Sequence, residues 1–130
     1  MKIGERIQQA DWKSEKHVPV IECPDQVKAD EVFEVKVGVG KEISHPNTTE
    51  HHIRWIRLYF HPEGSAFTYD VSLNEFNAHG ESGAGPNKGP AYTDPFVSTS
   101  VKFNKPGTLH AVALCNIHGL WESSKEITVG

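Results

Sequence analysis

Apolar residues in this chain recur at every second position, and that period constrains the fold more than any other feature. Phe33, Val35, Val37 and Val39 alternate with Glu34, Lys36 and Gly38, and Phe67, Tyr69, Val71 and Leu73 alternate with Thr68, Asp70, Ser72 and Asn74. Such alternation puts one face of an extended strand in a core and the other in water. Further strand candidates cover residues 18–22, 53–60, 97–103, 109–114 and 126–129, separated by turn chemistry such as His61-Pro62-Glu63-Gly64 and Asn104-Lys105-Pro106-Gly107. About seven short strands at this spacing predict an all-β, antiparallel sandwich. Ile3, Ile7 and Ala10 hint at a helix that Gly4 weakens, so a short helical or irregular segment is expected at the N-terminus.

The 130 residues suffice for one domain with its own core, and a single domain spanning 1–130 is expected. A metal is therefore not needed to staple the fold. Residues 80–90 form a long Gly/Pro-rich connection, and the 80–95 loop has the length of a binding loop, lid or interface. Thirteen Lys plus Arg against seventeen Asp plus Glu give a formal charge of −4, which leaves no basic footprint for nucleic acid. No run approaches the roughly 20 apolar residues of a membrane span, and the first residues lack a leader's apolar stretch, so a cytoplasmic location is expected. The two cysteines, Cys23 and Cys115, are too few for a secreted disulfide framework. A Cys23–Cys115 disulfide is the alternative to free thiols or a metal ligand.

Three separated segments carry the residues with metal chemistry. They read Glu15-Lys16-His17-Val18-Pro19, His45-Pro46-Asn47-Thr48-Thr49-Glu50-His51-His52, and Cys115-Asn116-Ile117-His118-Gly119-Leu120-Trp121-Glu122. His17, His45, His51, Cys115 and His118 together offer imidazoles and a thiolate, a donor set for a transition metal rather than for magnesium or calcium. Pro46 and the spacing exclude helical presentation of His45 and His51, so a loop must bend both imidazoles toward one point. The Cys-x-x-His turn is short enough for both side chains to reach one ion. Taken singly, each segment is weak evidence; His17 alone reads as an ordinary hydrogen-bonded histidine.

The same segments resemble the iron-binding motifs of the superoxide reductases, the neelaredoxin and desulfoferrodoxin family. The likeness also covers Glu15 to Ile21, Gly40 to Ile53 and Asn77-Ala78-His79-Gly80-Glu81-Ser82. It implies a seven-stranded immunoglobulin-like sandwich carrying mononuclear iron, cycling between Fe2+ and Fe3+. Carried over residue by residue, the equatorial ligands are His17, His45, His51 and His118, and the axial ligand is Cys115. Glu15 is then the mobile carboxylate of the sixth position on resting ferric iron, and Lys16 draws the anion in. No cysteine precedes Cys23, which matches the one-iron class without the four-cysteine centre of two-iron members. Electrons would then come from outside, typically from a rubredoxin-like protein, and members of this kind often form homotetramers.

The implied chemistry is physically coherent. Reducing superoxide takes one electron and two protons, which asks for a one-electron metal with an open position, and redox-inert zinc cannot serve. A thiolate pushes electron density onto iron, and the backbone N–H groups of Ile117 and His118 are placed to hydrogen-bond its sulfur. A lysine charge at roughly 8 Å and an effective dielectric of about 20 attracts a unit anion by about 2 kcal/mol. Two other function classes are weaker. A cupredoxin-like electron carrier usually needs an axial Met, and Met1 is the only methionine; a non-catalytic zinc module would leave a fifth donor unexplained. His52 is expected opposite to His51 in strand phase, and His61, His79 and His110 match no ligand position. Trp12, Trp55 and Trp121 read as core or interface aromatics, with Trp121 a candidate wall of the site.

Overall fold

The computed structural model describes residues 1–130. A short 3-10 helix, Ile3–Arg6, precedes eight strands: β1 (Pro19–Glu22), β2 (Gln26–Val27), β3 (Phe33–Val39), β4 (Ile53–Pro62), β5 (Tyr69–Glu75), β6 (Phe96–Val101), β7 (Gly107–Cys115) and β8 (Gly119–Val129). A three-stranded sheet in the order β1-β3-β6 faces a five-stranded sheet in the order β2-β8-β7-β4-β5. The expected strands are all present. One small addition is β2, whose two residues pair parallel to Thr128 and Val129, whereas every other pairing between the strands is antiparallel.

Period-two alternation explains the core. Val35, Val37 and Val39 point inward from β3 against Ile56, Leu58 and Phe60 of β4 and Leu109, Ala111 and Ala113 of β7, all buried in one cluster. Cys115 belongs to the same cluster at 1% exposure, so the core ends on a thiol. The outer edge of β8 is covered at one end by β2 and at the other by the N-terminal segment, where Gln8 pairs with Trp121. Covering that edge removes a template for strand addition. No helix is long and apolar enough to cross a membrane.

Two local readings are corrected. Residues 67–73 were expected to bury one continuous face, but Phe67, Tyr69 and Leu73 are 68%, 54% and 42% exposed. A register shift between Leu58 and Tyr59 breaks the phase: Leu73 lies opposite Arg57 on the outer face, Tyr69 lies opposite Phe60 on the inner one, and Phe67 precedes the strand. An extra residue flips strand phase, which alternation in one strand cannot reveal. The last strand also begins at Gly119, not near residue 126. Ser123, Ser124 and Lys125 hide it in sequence, and in the structure Ser123 Oγ donates to Pro19 O at 2.6 Å while Lys125 pairs with Asp25.

The junction of β4 and β7 leaves no room for a side chain at Gly107. A Cβ there would stand 2.4 Å from the His61 carbonyl oxygen and 2.8 Å from Pro62 Cα, both backbone atoms that cannot swing aside. Gly107→Ala is expected to destabilise the protein by about 1–3 kcal/mol, the usual range for overpacking. An unchanged melting temperature would contradict this account.

Candidate metal centre

The five candidate donors meet at one end of the sandwich. His17 lies just before β1, His45 and His51 lie in the connection from β3 to β4, and Cys115 ends β7 with His118 in the turn to β8. Ligand atoms of His17, His45, His51 and Cys115 all lie within 4.8 Å of one another. His118 completes the group: its Nδ1 is 3.2 Å from His17 Nε2 and 3.8 Å from Cys115 Sγ. The four histidines and the cysteine are therefore brought together, although residues 17 and 118 are 101 positions apart, while the sixth candidate, Glu15, is not among the clustered donors.

Local chemistry leaves these nitrogens free for a metal. His45 Nδ1–H donates to the Pro46 carbonyl at 2.7 Å, which fixes the tautomer with the Nε2 lone pair facing the cluster. Nε2 of His45 and Nε2 of His51 are buried with no hydrogen-bond partner. Leaving a buried polar atom unpartnered costs about 1–3 kcal/mol, so two such atoms converging on neighbouring donors fit a cation between them. Burial pushes His45 down to about 4, with the neighbouring imidazoles and Lys16 adding to the effect beyond what the Pro46 bond restores. His51 is lowered by burial first, then by His118, His17 and Lys16. Both rings are thus neutral at pH 7, the form that ligates.

The surroundings orient the donors. Gly40, at φ 90°, lets the chain leave β3 so tightly that a Cβ would stand 2.8 Å from His45 N. Thr48 closes the loop, since its Oγ accepts from His51 N–H at 3.0 Å and its N–H donates to His51 O at 2.9 Å. Trp121 walls one side: its ring stacks on His17 with centroids 4.8 Å apart, and its Nε1–H donates to His118 O at 3.2 Å. Of the two amides expected at the sulfur, that of His118 donates to Cys115 Sγ at 3.3 Å; Ile117 makes no such bond. Cys23 and Cys115 are both free thiols, and Cys23 stands outside the cluster with its thiol pushed up by burial.

Glu15 and Lys16 sit at the rim. Glu15 Oε1 accepts from His17 N–H at 2.9 Å and lies 2.5 Å from His17 Nδ1, so in this conformation it orients a donor ring from behind. Burial works to raise its carboxyl, but the hydrogen bonds from the His17 ring and backbone outweigh that and hold it below the usual range. Lys16 is near enough to His45 and His51 for its charge to act on both.

Some structurally important residues carried no signal in the motif. Asn87, at φ 61° in the long Gly/Pro-rich loop, accepts at Oδ1 from Thr49 N–H and Oγ–H, both at 2.7 Å, and donates from Nδ2 to Glu50. Asn47 Nδ2 donates to Thr93 O at 2.7 Å. His52 and His79, both buried, stack face to face with centroids 3.4 Å apart. The long loop is thus a brace under the histidine loop. An Asn amid Gly and Pro was the one visible hint, because Asn tolerates the left-handed region.

A small β-sandwich with four histidines and one cysteine converging at its end has a donor set that could hold one transition-metal ion. The desulfoferrodoxin family model matches residues 9–124, and the chain belongs to that family. It is 60% identical to the neelaredoxin of Megalodesulfovibrio gigas, covering 99% of both chains, and 56% identical to the superoxide reductase of Pyrococcus furiosus, covering 98% of both. The reduced form of superoxide reductase (neelaredoxin) from Archaeoglobus fulgidus superposes with a TM-score of 0.87 at 56% identity, over 95% of this chain and 98% of the other.

Proposed function

We propose that this protein is a superoxide reductase: an oxidoreductase that adds one electron and two protons to superoxide to give hydrogen peroxide, without making oxygen. The observation that carries this reading is the convergence of five nitrogen and sulfur donors, including two buried imidazole nitrogens that have no other partner. The similarity to named superoxide reductases supports it. His17, His45, His51, His118 and Cys115 would hold a mononuclear non-heme iron, and Glu15 would supply a carboxylate beside it. When bound, iron supplies the one-electron Fe2+/Fe3+ couple. Copper or zinc at full occupancy of native protein, with iron absent, would overturn that assignment.

The remaining work falls to the chain itself. The His118 N–H at Cys115 Sγ withdraws charge from the thiolate and so tunes its donation. The Trp121 ring closes one side against water. Glu15, hydrogen-bonded to the ring and backbone of His17, orients that imidazole and would keep a carboxylate near the site. Lys16 raises the local concentration of the anion. The donor is an external rubredoxin-like protein, and the setting is the cytoplasm. Residues 1–130 act as one iron-binding domain.

Assembly as a homotetramer is part of the same reading. The outer face of the five-stranded sheet carries Trp55, Tyr59, Leu73 and Leu120 beside the exposed Ile3, interspersed with Arg57, Glu75 and Glu122, a mixed surface on which another copy could dock. Sedimentation equilibrium at micromolar concentration should return four times the chain mass; a particle of 14.5 kDa would refute it.

The decisive measurement is product stoichiometry. Iron-loaded protein kept reduced by rubredoxin is expected to yield one peroxide per superoxide and no enzyme-dependent oxygen. Half that peroxide with matching oxygen would make it a dismutase. Lys16→Ala is expected to slow the second-order reaction with superoxide by on the order of tenfold at low salt and to flatten its salt dependence. An unchanged rate constant would remove Lys16 from the mechanism.

A further inference from the structure

We propose that Asn116 is a positioning residue of the metal centre, which locks the loop carrying His45 and His51 onto the turn carrying Cys115 and His118. This rests on the metal-centre reading of the five donors. The ladder between β4 and β7 ends where Ile53 faces Cys115, and past that pair no strand pairing joins the two ligand-bearing segments. Asn116 bridges the gap with three hydrogen bonds. Its backbone N–H donates to His52 O at 3.1 Å, its Oδ1 accepts from His52 N–H at 2.8 Å, and its Nδ2 donates to Glu50 O at 2.9 Å.

The first two bonds reproduce one more rung of an antiparallel pair, with the side-chain oxygen standing in for a carbonyl. The third reaches past His51 to the residue on its other side. Asn116 thus holds the main chain on both flanks of His51 while being covalently attached to Cys115, and it fixes the spacing between an imidazole donor and the thiolate. Donor geometry must be held within about 0.5 Å for a site to be selective. Only Asn meets all demands at this position: Ala keeps the backbone bond alone, and Asp keeps the acceptor but cannot donate to Glu50 O. On the far side Asn87 grips Thr49 and Glu50, so the loop is clamped between two asparagines, of which only Asn116 touches the ligand turn.

The test uses cobalt(II) as the probe on the full chain, with a chelator competition for affinity and the thiolate-to-cobalt charge-transfer and ligand-field bands for geometry. Wild-type protein is expected to show both band types. Asn116→Ala should bind cobalt about 10–100-fold more weakly, the usual effect of losing a residue that orients ligands, with shifted ligand-field bands; Asn116→Asp should fall between. A purely structural role would lower the melting temperature of metal-free protein while leaving the spectrum of the loaded form unchanged, and that outcome overturns the proposal. Should Asn116→Ala not fold, Asn116→Asp is judged by the same criterion: weaker binding supports the role and wild-type behaviour refutes it. If wild-type protein itself shows no charge-transfer band, the metal-centre reading falls and this role with it; a normal wild-type band with an unchanged variant defeats this role alone.

Discussion

The antiparallel register of β4 against β7 is the constraint on which the rest of this molecule depends. With Ile53 opposite Cys115, residues more than sixty positions apart are delivered to the same end of the sandwich, and the thiol points into the core. Strand side chains alternate, so a slip of one residue would turn Cys115 to the outer face and carry His51 away from it. Burial holds the register along Ile56, Leu58 and Phe60 on one strand and Leu109, Ala111 and Ala113 on the other, and a shift between Ile53 and Trp55 then sets Ile53, not Arg54, opposite Cys115. The hydrophobic core and the metal centre are therefore one structure, sharing Cys115 as a member of both.

The site carries a tension that a cation would relieve. Imidazole nitrogens with no partner stand within a few ångströms of a thiol, out of reach of water, and His45 is kept neutral by its burial. Each orphaned nitrogen costs the metal-free fold about 1–3 kcal/mol. The sandwich tolerates this because its core is large enough to stand without a metal staple, and the surrounding hydrogen bonds spend themselves on fixing the rings rather than on satisfying the nitrogens that face inward. Pro46 O, Glu15, Thr48 and Trp121 each restrain a donor residue from behind, and none of them occupies the centre.

How much of this was legible beforehand depended on whether the signal was local. The alternation in 33–39 reads directly as β3, and the three ligand segments identify themselves by residue type and spacing. The face of β5 did not, since a bulge in its pairing with β4 reverses the phase halfway along. The first half of β8 was hidden by Ser123, Ser124 and Lys125, whose polar groups find partners contributed by distant parts of the chain. The long Gly/Pro-rich loop declared its length but not its use. Its contacts run from Asn87 and Thr93 to Thr49, Glu50 and Asn47, across 37 to 46 residues of sequence.

By itself the sequence carried the class of sheet in its periodicity, five candidate donors in three short segments, and the family in the resemblance of those segments to known motifs, all of which a chain carries whether folded or not. Only the tertiary structure decided which nitrogen of His45 faces the centre, that Glu15 rests on His17 in this conformation, which amide reaches the Cys115 sulfur, and that Asn116 and the long loop hold the histidine segment in place. These are relations between segments brought together by burial. Hydrogen-bond partners separated by dozens of residues are chosen by the packing of the two sheets, and no local pattern records that choice.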